Sequence, residues 1–162
     1  ESPHPSLSFL TVEGGFSVVE RDGRVFVDSR SFARYDALAG VVGSLDVRGA
    51  AGAYRELKPL LEGAYREIGR PGTTFEQTLS RAVGKLLAVP VPEGDVELVP
   101  VKLVYGYSDP ALEALSPAQK QLLRTGPANA RLVQEKLREL SRELGLPQPA
   151  AETRSGSALP ER

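Results

Sequence analysis

The stretch "SPAQKQLLRTGPANARLVQEKLREL", from Ser116 to Leu140, predicts two helices separated by a sharp stop. Its first residue is a favourable N-cap, Pro117 falls at the first helical position, and Gln119 can complete a capping box. Gly126 can end the first helix, because glycine tolerates the left-handed backbone found at many helix C-termini. Pro127 then begins a second, longer helix, so the stretch predicts a helical hairpin at the end of the domain.

The charges of this helical hairpin bear on whether it binds DNA. Residues 116–146 carry six basic and three acidic side chains, whereas residues 1–115 carry 12 basic and 16 acidic ones. A DNA-reading helix places polar and basic residues at its start, where "PANAR" offers only Asn129 and Arg131. The rest of the second helix mixes acidic and basic groups, as a solvated face does. We therefore expect no nucleic-acid partner, and nucleic-acid binding by the basic hairpin is the alternative.

A partner surface beside the helical hairpin is the preferred functional interpretation. Tyr and Arg contribute much of the binding energy at protein interfaces, and both occur here. The residues expected to contact an envelope protein or peptide are Tyr105, Tyr107, Lys120, Arg124, Asn129 and Arg131. The simpler interpretation is that the two helices only pack against their own domain, and the two interpretations can both hold.

Three further helices are predicted upstream of the hairpin. A helix over about 30–43 can be capped by Asp28 or Ser29. Another begins at "TTFEQ", where Thr73 or Thr74 can form a capping box, and ends before Pro90. These three helices, the two helices of the hairpin and a short helical turn at 110–114 give an expected architecture of about five helices.

The longest of these helices is predicted to end near residue 68, after an N-cap at Ser44 or Asp46. Pro59 lies inside it and should kink or split it, because proline lacks an amide hydrogen. Gly69 is expected to end it in the left-handed conformation. Apolar residues recur at steps of three and four, which predicts a buried stripe made of Ala50, Tyr54, Leu57, Leu61, Ala64 and Ile68.

A β-hairpin is predicted near the N-terminus. Asp22-Gly23 is a strong turn signal between strands near 15–20 and 24–28, because a type I′ turn needs positive φ at both central positions. "LSFLTVEGG" before it can add a third strand, and residues 96–104 read as extended chain in which Pro100 requires an edge position or a break. The fold class is therefore mainly α with a small antiparallel β element (α+β), ending in a helical hairpin.

Length and composition define one domain with tails. The chain has 162 residues, of which 41% are hydrophobic, enough for one sizeable core. Residues 1–5 read as a linker or tail, 6–146 as a single globular domain, and 147–162 as a disordered C-terminal tail. No apolar run approaches the roughly 20 residues that span a bilayer.

Catalysis and cofactor binding find little support in the sequence. There is no Cys, and the one histidine, His4, lies in the Pro-flanked tail. Asp109 and Glu113 are one helical turn apart, but capping and surface roles explain them more simply than acid–base chemistry. No phosphate-binding glycine loop occurs. We expect no enzyme activity, no catalytic residues, no cofactor and no metal.

Four segments, taken in order, resemble a bacterial family classed only as a domain of unknown function. They are the β-hairpin stretch, "LKPLLEGAYREIG", "LLAVPVP" and "YSDPALEALSPAQKQLLRTGPANARLVQEKLREL". The resemblance covers about residues 6–146 and is most specific in "DPALEALSPAQKQLLRTGPAN". Thr125 departs from the family pattern, which has Met there, while the Gly-Pro stop that follows is unchanged.

The resemblance implies a membrane-anchored envelope protein. Members of that family have a short N-terminal membrane helix, a linker rich in Pro and Ala, and then this domain. It implies a periplasmic domain anchored to the inner membrane through a segment outside this chain, which would account for a sequence that does not start with Met. The expected function is therefore that of a non-enzymatic periplasmic interaction domain.

Overall fold

The computed structural model describes residues 14–146, which form one four-stranded sheet and seven helices. The strands are β1 (Val18–Arg21), β2 (Arg24–Val27), β3 (Glu97–Val101) and β4 (Val104–Tyr107). The helices are α1 (Arg30–Ala33), α2 (Asp36–Gly43), α3 (Val47–Ile68), α4 (Phe75–Leu87), α5 (Pro110–Glu113), α6 (Pro117–Arg124) and α7 (Pro127–Leu144). The predicted α+β class is confirmed.

The sheet is antiparallel throughout, in the order β1-β2-β3-β4. Asp22 and Gly23 have φ of 52° and 72°, which confirms the predicted turn between β1 and β2. β2 then pairs with β3 across a long helical insertion, through Val25 with Leu98 and Phe26 with Glu97. Of the strand expected in "LSFLTVEGG", residues 7–13 lie outside the described residues.

The β3–β4 pair is a second hairpin that the sequence did not reveal. Pro100 faces Tyr105 on β4 but has no partner on β2, so its missing amide removes no bond on that side. The turn consists of Lys102, with φ of 56°, and Leu103. Lys-Leu is not a usual turn dipeptide, which is why only extended chain was predicted here.

The hydrophobic core lies where the C-terminal helices meet the sheet. Its buried cluster contains Val89, Leu112, Leu122, Leu123 and Ala130, with Tyr107 of β4 packed against it. The predicted helix–stop–helix pattern of α6 and α7 is confirmed, since Gly126 separates the two helices with φ of 87°. The helical hairpin therefore supplies much of the core.

The single helix predicted over 30–43 is divided into α1 and α2. Arg34 and Tyr35 separate them, and the Tyr35 side chain is buried. The carboxylate of Asp28 accepts a hydrogen bond from the Arg30 amide (2.9 Å). Asp28 therefore satisfies a backbone amide at the start of α1. The break between the helices places Tyr35 in the interior.

α3 excludes one of the two outcomes predicted for Pro59 and corrects the prediction for Gly69. Pro59 does not split the helix, which remains continuous over 22 residues after the predicted N-cap, Asp46. Gly69 is not left-handed: its φ is −84° and its ψ is −173°, and its amide donates to the Tyr65 carbonyl (2.7 Å). The left-handed glycine of this connection is Gly72, three residues later.

Half of the predicted buried stripe of α3 is wrong, because Leu57, Ala64 and Ile68 are exposed, while its other three members are half-buried. Ala51 is fully buried, whereas Leu57 is 50% exposed and Ile68 is 86% exposed. The inward side is instead fixed by polar contacts with α4: the Glu62 carboxylate accepts from the amides of Phe75 (2.8 Å) and Glu76 (3.0 Å). These two hydrogen bonds lower the pKa of Glu62.

Gln134 is a buried polar residue in the middle of α7 that the sequence analysis did not single out. Its side chain is 5% exposed, and its amide donates to the carbonyls of Leu86 (3.0 Å) and Val89 (2.9 Å). Carbonyls at the end of a helix lack partners within the helix. Gln134 therefore satisfies the C-terminus of α4 and joins it to α7.

We predict that Gln134→Met, which keeps the side-chain volume but removes the donor, destabilises the fold by about 1–3 kcal/mol, because it leaves buried carbonyls unsatisfied. Urea unfolding followed by circular dichroism measures this. Glu135→Ala, on the exposed side of the same helix, is the control and should change stability by less than about 0.5 kcal/mol. Equal effects of the two changes would contradict the role of Gln134.

We predict that Gly126→Ala destabilises the protein more than Gly145→Ala does. Both glycines have positive φ, of 87° and 66°. A Cβ at Gly126 would come within 2.4 Å of the Phe32 ring, whereas a Cβ at Gly145 would meet nothing within 4 Å. At Gly145 (ψ 24°) the left-handed backbone costs a side chain about 1–2 kcal/mol, whereas Gly126 (ψ 163°) lies in a region nearly exclusive to glycine, which costs about 1–3 kcal/mol. The clash should add about 1–3 kcal/mol at Gly126 alone, measurable as a difference in unfolding free energy.

Candidate functional site

The six residues predicted to bind a partner separate into three groups in the structure. Tyr107, Lys120 and Arg124 surround one carboxylate, that of Glu113 at the end of α5. Tyr105 lies farther along β4, toward the turn of the β3–β4 hairpin. Asn129 and Arg131 lie on α7 and form no hydrogen bond or ion pair with the other four among the contacts of residues 14–146.

Glu113 is the residue that joins the first group. Its carboxylate accepts the Tyr107 amide (2.9 Å) and forms an ion pair with Lys120 of α6. The hydrogen bond from Lys120 is the main cause that lowers the pKa of Glu113, and the Tyr107 amide adds to it. Glu113 thus links β4, α5 and α6. The expected capping role belongs to Asp109, which accepts the Ala111 amide (2.8 Å).

Lys120 and Tyr107 are less available to a partner than the sequence suggested. The Lys120 side chain is only 19% exposed and is occupied by Glu113. Tyr107 is half-buried against the core, and this burial raises its pKa, while the positive charge of Arg124 acts in the opposite direction. Arg124 itself is exposed. Of the three, Arg124 is the side chain best placed to meet another molecule.

Tyr105 belongs to an exposed apolar surface at the end of the sheet. Its ring centroid lies 6.2 Å from that of Phe16. Beyond it, Leu103 is 100% exposed at the turn, and Val101 and Val104 on either side are also exposed. We call residues Val101–Tyr105 the hairpin tip. Within the hairpin tip, only Tyr105 was predicted from the sequence to contact a partner, because the other residues are typical of an ordinary strand.

The outer face of the sheet differs between its two halves. On the β1–β2 half, Arg21 and Arg24 lie over the Phe26 ring, 5.0 and 5.3 Å from its centroid. Arg21 also pairs with Asp95 (2.6 Å), and Arg24 forms an ion pair with Glu97 of β3. Charged groups therefore cover the apolar ring there. The hairpin tip has no comparable cover within residues 14–146.

Asn129 has a structural role in α7. Its side-chain amide donates to the Asp36 carboxylate of α2 (2.8 Å) and to the Thr125 carbonyl (3.0 Å). A side chain held from both sides in this way is not free to reach a base or a peptide. Arg131 is exposed two residues farther along. The start of α7 thus presents one basic side chain, which is little for a DNA-reading helix.

A small cavity lies between the sheet and the helices. Its volume is about 20 Å³, and its lining is almost wholly apolar, with Val27, Phe32 and Leu123 among the lining residues. A space of this size accommodates about one water molecule, and a water needs polar partners that this lining lacks. The cavity is therefore a packing space and too small for a metabolite.

Between residues 14 and 146, no three His, Cys, Asp or Glu side chains group closely enough to hold a metal ion. No helix in the same range has both the length and the apolar composition needed to cross a bilayer.

Comparison with known proteins identifies a family. The sequence model of the family described as Protein of unknown function (DUF3014) matches residues 1–141. The chain therefore belongs to this family, which confirms the predicted membership of a family of unknown function. No curated protein and no solved structure matches the chain.

We predict that Glu113→Gln lowers the melting temperature at pH 7 and that the difference from the unmodified protein vanishes in acid. The folded-state pKa of Glu113 lies below its unfolded value, so its ion pair stabilises the fold fully above the unfolded pKa of about 4.3. This contribution is lost as the pH falls through the folded-state pKa.

Melting temperatures measured between pH 7 and pH 2.5 test this prediction. Glu93→Gln, which changes an exposed carboxylate on the α4–β3 connection, is the matched control and should show no difference at any pH. A pH-independent effect of Glu113→Gln would show that Glu113 acts through packing and not through its charge.

Proposed function

We propose that this member of the DUF3014 family is a non-enzymatic interaction domain that binds an envelope protein or peptide through the hairpin tip and Arg124. We further propose that the domain lies in the periplasm and is anchored to the inner membrane by a segment outside this chain. The anchoring and the location are supported by the resemblance of the sequence to anchored envelope proteins.

The observation that carries the interaction proposal is the complete exposure of Leu103. Burying a leucine side chain is worth about 1.5–3 kcal/mol relative to leaving it in water, so a partner that covers Leu103 gains this free energy. Val101 and Val104, which pair with each other, extend this apolar surface on one face of the hairpin, and Tyr105 is exposed on the opposite face. An interface usually has such an apolar centre with a polar or charged rim.

Arg124 is proposed as the charged contact on the rim of this surface. It is exposed, and its charge acts on Tyr107 and Glu113, so it lies at the junction of β4, α5 and α6. Lys120 is not available to a partner because it pairs with Glu113. Of the six residues predicted from the sequence, the proposed surface keeps only Tyr105 and Arg124.

The alternative function is nucleic-acid binding by α6 and α7, favoured by the net positive charge of residues 116–146. Two of the six basic residues there are paired with carboxylates: Lys120 with Glu113, and Lys136 with Glu139 (2.9 Å). These pairs weaken the positive field that phosphate binding needs. Binding to random duplex DNA that falls steeply with salt would support this alternative over the interaction domain.

We predict that a photo-cross-linking benzoylphenylalanine placed at Leu103 of the full-length protein captures a defined envelope protein in intact cells. The same group placed at Glu20, exposed on β1, is the positional control and should not capture it. The cross-linked product is identified by mass spectrometry. Identical products from the two positions, or cytoplasmic products only, would contradict the proposal.

A matched pair of arginine changes tests the rim contact in the same experiment. Arg124→Glu should reduce the cross-link from position 103 severalfold, because it reverses the charge beside the surface. Arg131→Glu makes the same charge change on α7, away from the Glu113 group, and should leave the cross-link unchanged. Equal losses would mean that overall charge, and not this surface, determines the capture.

A further inference from the structure

α3 carries an apolar stripe on its outward side as well as buried residues on its inward side. The stripe consists of Ala53, Leu57, Leu60, Ala64 and Ile68, at spacings of four, three, four and four residues. All five are exposed, with Leu60 at 70% and Ile68 at 86%. We call these five residues the α3 stripe. α3 packs on α4 and α7 with its other side, so the α3 stripe has no cover within residues 14–146.

A short repeat gives the α3 stripe a regular pattern. "GAYREL" begins at Gly52 and "GAYREI" at Gly63, 11 residues later. Eleven residues make about three helical turns, or about 16.5 Å, so equivalent positions fall on nearly the same side of the helix. Each copy of the repeat therefore places one alanine and one larger apolar residue on the same side of α3. Each copy also places a glutamate at the same edge of that side.

The two glutamates, Glu56 and Glu67, form an acidic edge along the α3 stripe. Both are exposed, and neither takes part in an ion pair within residues 14–146. The inward carboxylate of the same helix, Glu62, is fully occupied by the start of α4. The acidic edge is thus available to a positive partner.

The glycines of the repeat allow a close approach to this edge. A Cβ placed on Gly52 or Gly63 would meet no atom within 4 Å, so the absent side chains leave open space. Small residues beside large ones let a second helix lie near the backbone, as in other helix–helix contacts. The shape and the chemistry of the α3 stripe both suit a helix.

A second copy of this chain and an acidic membrane both fit the edge poorly. In an antiparallel pair of α3 helices the same edges meet, which brings Glu56 of one copy near Glu67 of the other. Like charges at such positions destabilise an interface. A membrane surface with anionic lipids would repel the same glutamates.

We propose that the α3 stripe binds an amphipathic helix of a partner protein, with leucine-like residues facing the stripe and Lys or Arg along one edge, about three turns apart. Helix recognition of this kind uses apolar anchors at helical spacing, and edge charges decide the partner. The α3 stripe and the hairpin tip lie on different elements, so this inference does not depend on the proposed function.

Two synthetic helical peptides of 22 residues test the proposal by titration calorimetry against the whole chain. They share a Leu and Ala face and differ only at two edge positions 11 residues apart, which are Lys in one and Glu in the other. We expect the Lys peptide to bind about tenfold more tightly at low salt, with the difference shrinking at high salt. No binding of either peptide, or equal binding of both, would overturn the proposal.

Matched variants locate the site. Glu56→Lys with Glu67→Lys should reverse the preference toward the Glu peptide, and Leu60→Asn should weaken both peptides. Val41→Asn, a similar apolar-to-polar change at an exposed position of α2, should leave binding unchanged and serves as the control. Circular dichroism confirms that each exposed substitution leaves the fold intact. Unaltered binding by Leu60→Asn would exclude the α3 stripe.

Two further measurements test whether a second copy of the chain or a bilayer occupies the α3 stripe. Analytical ultracentrifugation of the chain alone would show a dimer, abolished by Leu60→Asn, if a second copy were the occupant. Flotation with vesicles of three parts phosphatidylcholine to one part phosphatidylglycerol would show Leu60-dependent binding if the occupant were a bilayer. Either result would contradict the proposed partner helix.

Discussion

The hydrogen bonds from the Gln134 amide to the end of α4 are the contacts on which the architecture depends most. α4 ends beneath α7, and the chain then turns through Val89 toward β3. Since the end of a helix leaves carbonyls without partners, burying it requires a donor from elsewhere. Gln134 supplies that donor from 45 residues away along the chain. The arrangement lets α7 pack against α2, α3, α4 and α6 at once.

The Gly126 connection shows a similar dependence of local structure on distant packing. In the sequence this glycine reads as a helix stop. In the fold, the Phe32 ring occupies the space that a side chain at this position would need. Gly126 therefore separates α6 from α7 and also leaves the space into which Phe32 of α1 packs. A local signal predicted where the chain bends, while the reason for a glycine there comes from a residue 94 positions earlier.

Most signals confined to a few neighbouring residues were read correctly from the sequence, with the left-handed stop predicted at Gly69 as an exception. The capping box of Thr74 and Gln77, the Asp22-Gly23 turn and the Pro127 helix start are all present. Their energetics involve only adjacent backbone groups, so no tertiary knowledge is needed. The Lys102-Leu103 turn was missed because its residues carry no turn preference, and Gln134 because a glutamine alone does not reveal which carbonyls surround it.

The candidate site shows the same division between local signals, which the sequence predicts, and contacts between distant residues, which it does not. Sequence reasoning brought Tyr107, Lys120 and Arg124 to one neighbourhood, but it assigned Glu113 only a surface or capping role. The carboxylate that organises the group could be recognised only once β4 and α6 were seen on either side of it. The exposed leucine of the hairpin tip was hidden for a related reason, since composition does not show which side of a strand pair meets water.

α3 shows how a helix can be stable while its leucines face outward. Its inward side is held by the Glu62 carboxylate at the start of α4, by the Lys58–Glu76 ion pair (2.6 Å) and by the Tyr65–Thr78 hydrogen bond (2.8 Å). Helical periodicity reports that a helix has an apolar side, but it cannot say which side is buried when both carry apolar groups. Because polar and aromatic contacts fix α3 to its neighbours, Leu57, Leu60 and Ile68 are not required for its packing. Residues that the fold does not require remain available for recognition.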